Sequence, residues 1–212
     1  MRKMKSPSYI KYVKIDDTTK ELIYNHNFKS NKVVRNLPKS IGKENYYRFI
    51  GNTVHSFIEF KDNGYSVNQS KLNAYADAQI KEGGAIKIND NVNDIIEHNI
   101  DYATNFLDKH NVIAIELRTY WVNQYESIFN DAIGGTADIL IQNDDGSYTI
   151  ADFKNYNNPS NDDLAKHYYQ CLIYANLIRL QEGVEIKDIK IVYPSQEEVV
   201  VLPYQNIDLD KI

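Results

Sequence analysis

Cysteine is almost absent from the sequence. The 212 residues include one cysteine, Cys171, which excludes an internal disulfide framework and any zinc or iron–sulfur site built from several cysteines. Apolar runs long enough to cross a membrane are also missing, and the basic start of the chain lacks the apolar stretch of a signal peptide. We therefore expect a soluble, cytoplasmic protein in a reducing compartment, with no membrane partner.

Glycine and proline are scarce, at 9 and 5 residues, and the chain has no internal repeat or low-complexity tract. Hydrophobic residues make up 42% of the chain and charged residues of mixed sign 25%, a composition typical of a folded protein. The length suits one domain and is short for two. We predict a single domain over residues 1–212, with an N-terminal hairpin and helical section to about residue 110 and a sheet-and-helix core over about 111–204.

An excess of positive charge is missing as well, because 24 Lys and Arg face 29 Asp and Glu, for a net charge of −5. This balance weighs against a nucleic-acid partner, since phosphate contacts favour Lys and Arg. The objection is partial, because a divalent-metal site needs carboxylates and a local basic groove can lie on an acidic protein.

Hydrophobic periodicity predicts the secondary structure. Two alternating runs within residues 8–25 predict a hairpin with its turn at residues 16–19. Helices are predicted at residues 43–60, 67–81, 91–109 and 162–180, and strands at 112–122, 135–142, 148–154, 186–193 and 198–202. This order, a helical section followed by strand, hairpin, helix and strands, predicts an α/β fold with a mixed sheet flanked by helices.

The second hairpin, formed by residues 135–154, carries Asp138, Asp152 and Lys154. Side chains two apart on a strand share a face, so Asp152 and Lys154 point together. If the turn is an odd-length loop centred on Asp145, Asp138 lies opposite Asp152 with the Cβ atoms about 5 Å apart. Two facing carboxylates need compensation, which a divalent cation and Lys154 can supply.

Two alternatives oppose this interpretation. A two-residue turn at Asp145 and Gly146 places Asp138 against Phe153 and sends the two carboxylates to opposite faces. An Asp-x-Lys pattern is also common on ordinary solvated strands. The apolar neighbours favour a buried site, because buried Asp and Lys are rarely tolerated without a partner or a metal. These neighbours are Ile139, Ile141, Ile150 and Phe153.

On the first helix, Gly51, His55 and Glu59 lie on one stripe at steps of four residues. An imidazole and a carboxylate on one stripe can face the same point, and this geometry suits metal ligation by His55. The alternative is a partly exposed histidine and a solvated glutamate on an ordinary helix, with Gly51 allowing close packing.

A polar stripe on the last helix consists of His167, Gln170 and Tyr174, on an element otherwise suited to packing against the sheet. Gln170 can hold a phosphate or a water, Tyr174 can contact a bound strand, and His167 is a weaker candidate. Glu116, on the strand before the hairpin, is either an additional carboxylate of the site or a partner of Arg118.

Together these segments resemble the RecB-like and Cas4-like branch of the PD-(D/E)XK nucleases. The resemblance covers about residues 46–193, and the combination of motifs is more specific than any one of them. It implies a restriction-endonuclease-like core in a single nuclease domain. Four motifs match in order: Gly51-x3-His55-x3-Glu59, Gly135-Thr-Ala-Asp138, Ile150-Ala-Asp152-Phe-Lys154 and Gln170-x3-Tyr174.

The resemblance also implies roles for individual residues. His55, Asp138, Asp152 and the backbone carbonyl of Phe153 are expected to bind Mg²⁺ or Mn²⁺, and Lys154 to position or activate the attacking water. The set Asp138, Asp152 and Lys154 is the expected catalytic centre.

Supporting or substrate-binding roles are expected for Glu59, Glu116, Gln170 and Tyr174. Two departures from the family pattern matter. The second acidic position is aspartate rather than the commoner glutamate, and the four cysteines that hold an iron–sulfur cluster in Cas4-type members are absent. We therefore expect a member without an iron–sulfur cluster.

The function that the resemblance implies is metal-dependent hydrolysis of DNA, acting on single strands or ends in replication, recombination or repair. The alternative from another class is a catalytically silent nucleic-acid-binding or assembly module that kept the fold. A soluble scaffold with an acidic surface for a protein partner is a third possibility, in which the motif matches are accidental.

Overall fold

A mixed β-sheet packed between helices organises the fold in a computed structural model of the chain. The structure describes residues 43–83, 86, 88–121, 132–156 and 158–209, together with the backbone of three short strands at residues 4–5, 13–15 and 22–24.

The helices and strands follow the hydrophobic periodicity of the sequence. The predicted bounds of the helices and of the sheet strands from residue 111 onward are confirmed to within three residues at each end. The helices are α1 (Lys43–Asp62), α2 (Val67–Lys81), α3 (Asp90–Asp108) and α4 (Asn161–Glu182). The strands are β1 (Met4–Lys5), β2 (Val13–Ile15), β3 (Leu22–Tyr24), β4 (Asn111–Trp121), β5 (Ala132–Gln142), β6 (Tyr148–Phe153), β7 (Ile186–Tyr193) and β8 (Glu198–Pro203).

The sheet follows the order β4, β5, β6, β7, β8, with the short β1 paired in parallel to the start of β5. Strands β6 and β7 are parallel because α4 crosses between them, and the remaining neighbours are antiparallel. The predicted mixed sheet is thus confirmed. Strands β2 and β3 pair antiparallel, which confirms the strands of the N-terminal hairpin, while its turn at residues 16–19 lies outside the described residues.

The turn between β5 and β6 decides the register of the hairpin. Ile139 pairs with Ala151, and the turn spans residues 143–147, centred on Asp145. Gly146 takes a left-handed φ of 84°, which glycine adopts without steric cost. Continuing the register by one pair places Asp138 opposite Asp152. The odd-length turn is confirmed, and the two-residue turn is wrong.

Both faces of the central strands are covered. Leu140 and Ile150 belong to the core formed with α4, while Ile139 and Ala151 belong to the core formed with α1 and α3. Strands buried on both faces explain the nearly continuous apolar sequence of this hairpin. Among the described residues, no helix is both long and apolar enough to cross a membrane.

Candidate active site

Asp138 and Asp152 face each other on β5 and β6, and their neighbours along both strands are apolar. Their relative exposures are 8% and 1%, so both carboxylates are buried. The backbone N–H of Phe153 donates to Oδ2 of Asp138 at 2.9 Å. Burial, together with the charge of Asp138, raises the pKa of Asp152 to about 6. Such a pair needs a compensating positive charge.

Lys154 supplies part of that charge. Its Nζ lies 2.7 Å from Oδ2 of Asp152, and its backbone N–H donates to the carbonyl of Val192 on β7 at 2.8 Å. Burial lowers the pKa of Lys154, but the carboxylates of Asp152 and Asp138 outweigh burial and hold the pKa above its ordinary value. The lysine is therefore charged and fixed at the end of β6.

His55 projects from α1 toward the same point. Its Nε2 lies 3.1 Å from the carbonyl oxygen of Phe153, and its Nδ1 lies 3.4 Å from Oε1 of Glu116 and 3.6 Å from Oδ2 of Asp138. Burial lowers the pKa of His55, but the charges of Asp138 and Glu116 raise it to about 9. Without a cation, the imidazolium can donate from both nitrogens to this set of oxygens, and binding of a metal to His55 would release one of these protons.

Glu116 enters the site through an unusual backbone conformation. The residues on either side of it in β4 pair with Ile139 and Ala137 of β5, which places Glu116 beside Asp138. Its φ of 52° lies in the left-handed region, which costs a non-glycine residue on the order of 1–3 kcal/mol. Glu116, Asp138 and Asp152 thus form a carboxylate row across β4, β5 and β6.

His55, Glu116 and Asp138 could together hold a metal ion and are called the ligating group, because their ligand atoms all lie within 4.8 Å of one another. Carboxylate oxygens and an imidazole nitrogen are suitable ligands for Mg²⁺ or Mn²⁺. Oδ1 of Asp152 is buried and has no hydrogen-bond partner within the described part of the chain. A cation at this point would relieve the repulsion within the carboxylate row, so the residues present fit a divalent metal.

The two acidic candidates outside the hairpin, Glu116 and Glu59, differ in their position relative to the ligating group. Glu116 contacts His55 and belongs to the ligating group. Glu59, one turn after His55 on α1, is exposed and does not belong to that group. The imidazole of His55 and the carbonyl of Phe153, both expected as ligands, contact each other directly.

Gln170 and Tyr174 lie on α4 and contact each other, and Tyr174 also contacts β5. Nε2 of Gln170 donates to the hydroxyl of Tyr174 at 3.1 Å. The Tyr174 ring packs on Gly135 so closely that a Cβ there would lie 2.9 Å from ring atoms. This close approach explains why position 135, three residues before Asp138, is occupied by glycine.

His167, the weaker candidate on α4, is buried beside the site. Its Nδ1 lies 3.0 Å from the hydroxyl of Tyr193. Burial and the positive charge of Lys154 lower the pKa of His167 to about 4, so the imidazole is neutral near pH 7. Its ring contacts Tyr156 edge to face, with centroids 4.8 Å apart.

A polar cluster that the sequence motifs did not predict holds the segment after Lys154. Nδ2 of Asn99 on α3 donates to Oδ1 of Asn155 at 3.2 Å and to the hydroxyl of Ser195 at 3.3 Å. Asn155 in turn donates to the carbonyl of Tyr47 on α1 at 2.7 Å. A signal was present, because Asn99 is a lone polar residue on the buried face of α3.

A family model and a solved structure are similar to this chain. A family model described as the PD-(D/E)XK nuclease superfamily matches residues 31–204. A search of curated proteins gives no match. Among solved structures, the crystal structure of SSO0001 is similar, with 19% identity and a TM-score of 0.39, over 79% of this chain and 68% of that chain. Because the family match covers most of the sequence, with His55 and the whole carboxylate row inside it, the chain belongs to the PD-(D/E)XK nuclease superfamily.

Proposed function

We propose that the protein is a metal-dependent deoxyribonuclease that hydrolyses phosphodiester bonds. The observation that carries the proposal is the convergence of Asp138, Asp152 and Lys154 with His55 at one end of the sheet. A buried set of this kind costs stability, and such a cost is most often retained at sites of chemistry.

In this proposal, His55, Glu116 and Asp138 hold the divalent cation, and Asp152 and the carbonyl of Phe153 complete its surroundings. When bound, Mg²⁺ or Mn²⁺ would polarise the scissile phosphate, lower the pKa of the attacking water and stabilise charge on the leaving oxygen. The inclusion of Glu116 rests on the short distances within the ligating group. The inclusion of Asp152 rests on its buried Oδ1, which lacks a hydrogen-bond partner among the described residues.

Lys154 acts beside the cation. A charged ammonium donates hydrogen bonds, so Lys154 orients the attacking water and the phosphate oxygens. Asp152 holds the ammonium at 2.7 Å, and the backbone bond to Val192 fixes the strand that carries it. Gln170 and Tyr174, which bond to each other on α4, are proposed to contact the substrate backbone.

The finer assignment is also a proposal. The four motifs, which occur in the family order, favour the RecB-like and Cas4-like branch, in a single domain over residues 1–212 without an iron–sulfur cluster. That branch suggests a cytoplasmic enzyme of replication, recombination or repair that acts on single-stranded DNA or DNA ends. A catalytically silent binding module is less favoured, because a silent protein has no need for the Asp, Asp and Lys set.

The test is cleavage of end-labelled single- and double-stranded DNA with Mg²⁺, with Mn²⁺ or with EDTA. We expect metal-dependent cleavage by the wild type and a loss of roughly 100-fold or more in Lys154→Ala, as for other charge-stabilising donors. Lys166→Ala is the matched control, since Lys166 is a surface lysine of α4 that pairs with Asp163. DNA binding without cleavage in any metal would instead support the silent module.

A further inference from the structure

An exposed tyrosine stands immediately beside the proposed catalytic lysine. Tyr156 follows Lys154 by two residues, so their Cα atoms are at most about 7 Å apart. Its side chain is 42% exposed although the neighbouring strand is buried. An aromatic side chain in this position is not needed to fill the core, and part of it lies at the surface close to Lys154.

The ring of Tyr156 is supported from behind. It makes a T-shaped contact with the ring of His167, with centroids 4.8 Å apart and ring planes at 67°. His167 is 7% exposed and is held by Tyr193, which is fully buried. The Tyr156 ring therefore has a buried and hydrogen-bonded neighbour, while it retains substantial exposure to solvent.

The backbone that carries Tyr156 is also fixed. Oδ1 of the preceding residue, Asn155, accepts hydrogen bonds from Asn99 at 3.2 Å and from Ser195 at 3.0 Å, and its Nδ2 donates to Tyr47 at 2.7 Å. These bonds join the segment to α3, to the turn after β7 and to α1. A ring that is held on a fixed backbone loses little conformational entropy when it binds a ligand.

Resting on the proposed nuclease function, we propose that Tyr156 stacks on an unpaired base next to the phosphate held at the active site. Aromatic side chains bind single-stranded nucleic acids in this way, because every base has a π-face that is available once the base leaves the duplex stack. In an intact duplex, both faces of an internal base are covered by its neighbours. The substrate class is therefore single-stranded nucleic acid or an unpaired end.

The first test compares binding of fluorescently labelled oligothymidine and of a blunt duplex by anisotropy, at one salt concentration and with Ca²⁺ or EDTA. Tyr156→Leu should weaken single-strand binding by about tenfold and leave duplex binding unchanged, because leucine keeps bulk but lacks an aromatic face. Tyr156→Phe should bind like the wild type. Equal weakening on both substrates, or no weakening, would overturn the stacking proposal.

The matched control is Tyr65→Leu. Tyr65 is 48% exposed and also makes an edge-to-face contact, with Phe60 at 5.7 Å. Its backbone N–H donates to the carbonyl of Phe60 at 3.2 Å, and Phe60 lies five residues beyond His55, about 7.5 Å along α1. Its replacement should leave both affinities unchanged, and thermal melting should show all three variants folded.

A second test places one abasic nucleotide at successive positions of the oligonucleotide. At one position, the abasic change should weaken binding to the wild type and to Tyr156→Phe but not to Tyr156→Leu. Such a coupling between the base and the aromatic ring identifies the base that stacks on Tyr156. Equal losses in all three proteins at every position would overturn the proposal. If the wild type binds no nucleic acid, the proposed function itself is overturned. If the wild type binds single strands and Tyr156→Leu binds them equally well, only the stacking proposal is overturned.

Discussion

At the scale of single residues, His167 links the site to the acid stability of the fold. Its pKa is about 4 in the folded protein, below its ordinary value of 6.5. As the pH falls below about 6.5, the unfolded chain takes up the proton first, so this residue lowers the free energy of unfolding. The loss continues until the pH passes the folded pKa, at about 1.4 kcal/mol per pH unit.

His167→Asn removes this titration and keeps a polar group near Tyr193. We therefore expect the free energy of unfolding of the wild type to fall more steeply than that of the variant between pH 6.5 and pH 4. Urea denaturation across this range measures both slopes. Parallel curves for the two proteins would contradict a neutral, buried His167.

Gly135 also allows a prediction at the residue scale, because its replacement would create a steric clash. Gly135→Ala places a Cβ 2.9 Å from the Tyr174 ring and should lower the free energy of unfolding by about 1–3 kcal/mol. Thermal melting measures the loss, and Tyr174→Ala should reduce the additional cost of the same substitution. Gly51→Ala is the matched control, because its Cβ would meet Asn155 at an ordinary 3.5 Å and alanine favours a helix.

At the scale of elements, the segment between β6 and α4 depends on the Asn99 cluster. Asn99→Ala should raise the rate of amide hydrogen exchange in the peptide around Asn155. Because Lys154 then loses its fixed position, kcat should fall about tenfold at saturating metal and DNA, with a smaller change in KM. Hydrogen exchange detects the first effect whether or not the protein cleaves DNA.

Asn176→Ala is the control for a purely structural role. Asn176 is also buried, and it donates to Leu172 at 2.8 Å and to Gln205 at 3.2 Å, on the other face of the sheet. Its loss should lower stability while exchange around Asn155 and kcat stay as in the wild type. Equal effects of both substitutions on kcat would show that Asn99 acts through global stability.

Most elements could be predicted because local periodicity encodes them. The opposition of Asp138 and Asp152 was predicted only on condition of an odd-length turn, which Gly146 and the β5–β6 register supply. Glu116 could not be placed, because its approach to His55 depends on a left-handed φ and on pairing between β4 and β5. Contacts across such separations leave no local pattern in the sequence.

At the scale of the whole molecule, metal binding and folding should be coupled, since the ligating group exists only in the folded chain. Mn²⁺ should raise the melting temperature of the wild type. Glu116→Gln should weaken Mn²⁺ affinity at least about tenfold, which removes about 1.4 kcal/mol of that stabilisation at saturating metal. Calorimetry with and without Mn²⁺ measures both quantities.

The matched control for Glu116 is Glu59→Gln, the same substitution at an exposed glutamate outside the ligating group. Its Mn²⁺ affinity should equal that of the wild type. If Glu59→Gln weakened Mn²⁺ binding as much as Glu116→Gln, the placement of the cation between α1, β4 and β5 would be wrong.

The residues of the site lie far apart in the sequence, and this affects when the site can form during protein synthesis. His55 meets Phe153 across 98 residues and Glu116 across 61. The backbone N–H of Lys154 donates to Val192 on β7, another 38 residues along the sequence. In a ribosome-bound chain whose β7 has not yet left the ribosome, Lys154 therefore lacks its bond to Val192. The proposed ability to attack phosphodiesters should therefore emerge only after β7 has left the ribosome, which would shield nucleic acids near the ribosome from copies that lack β7.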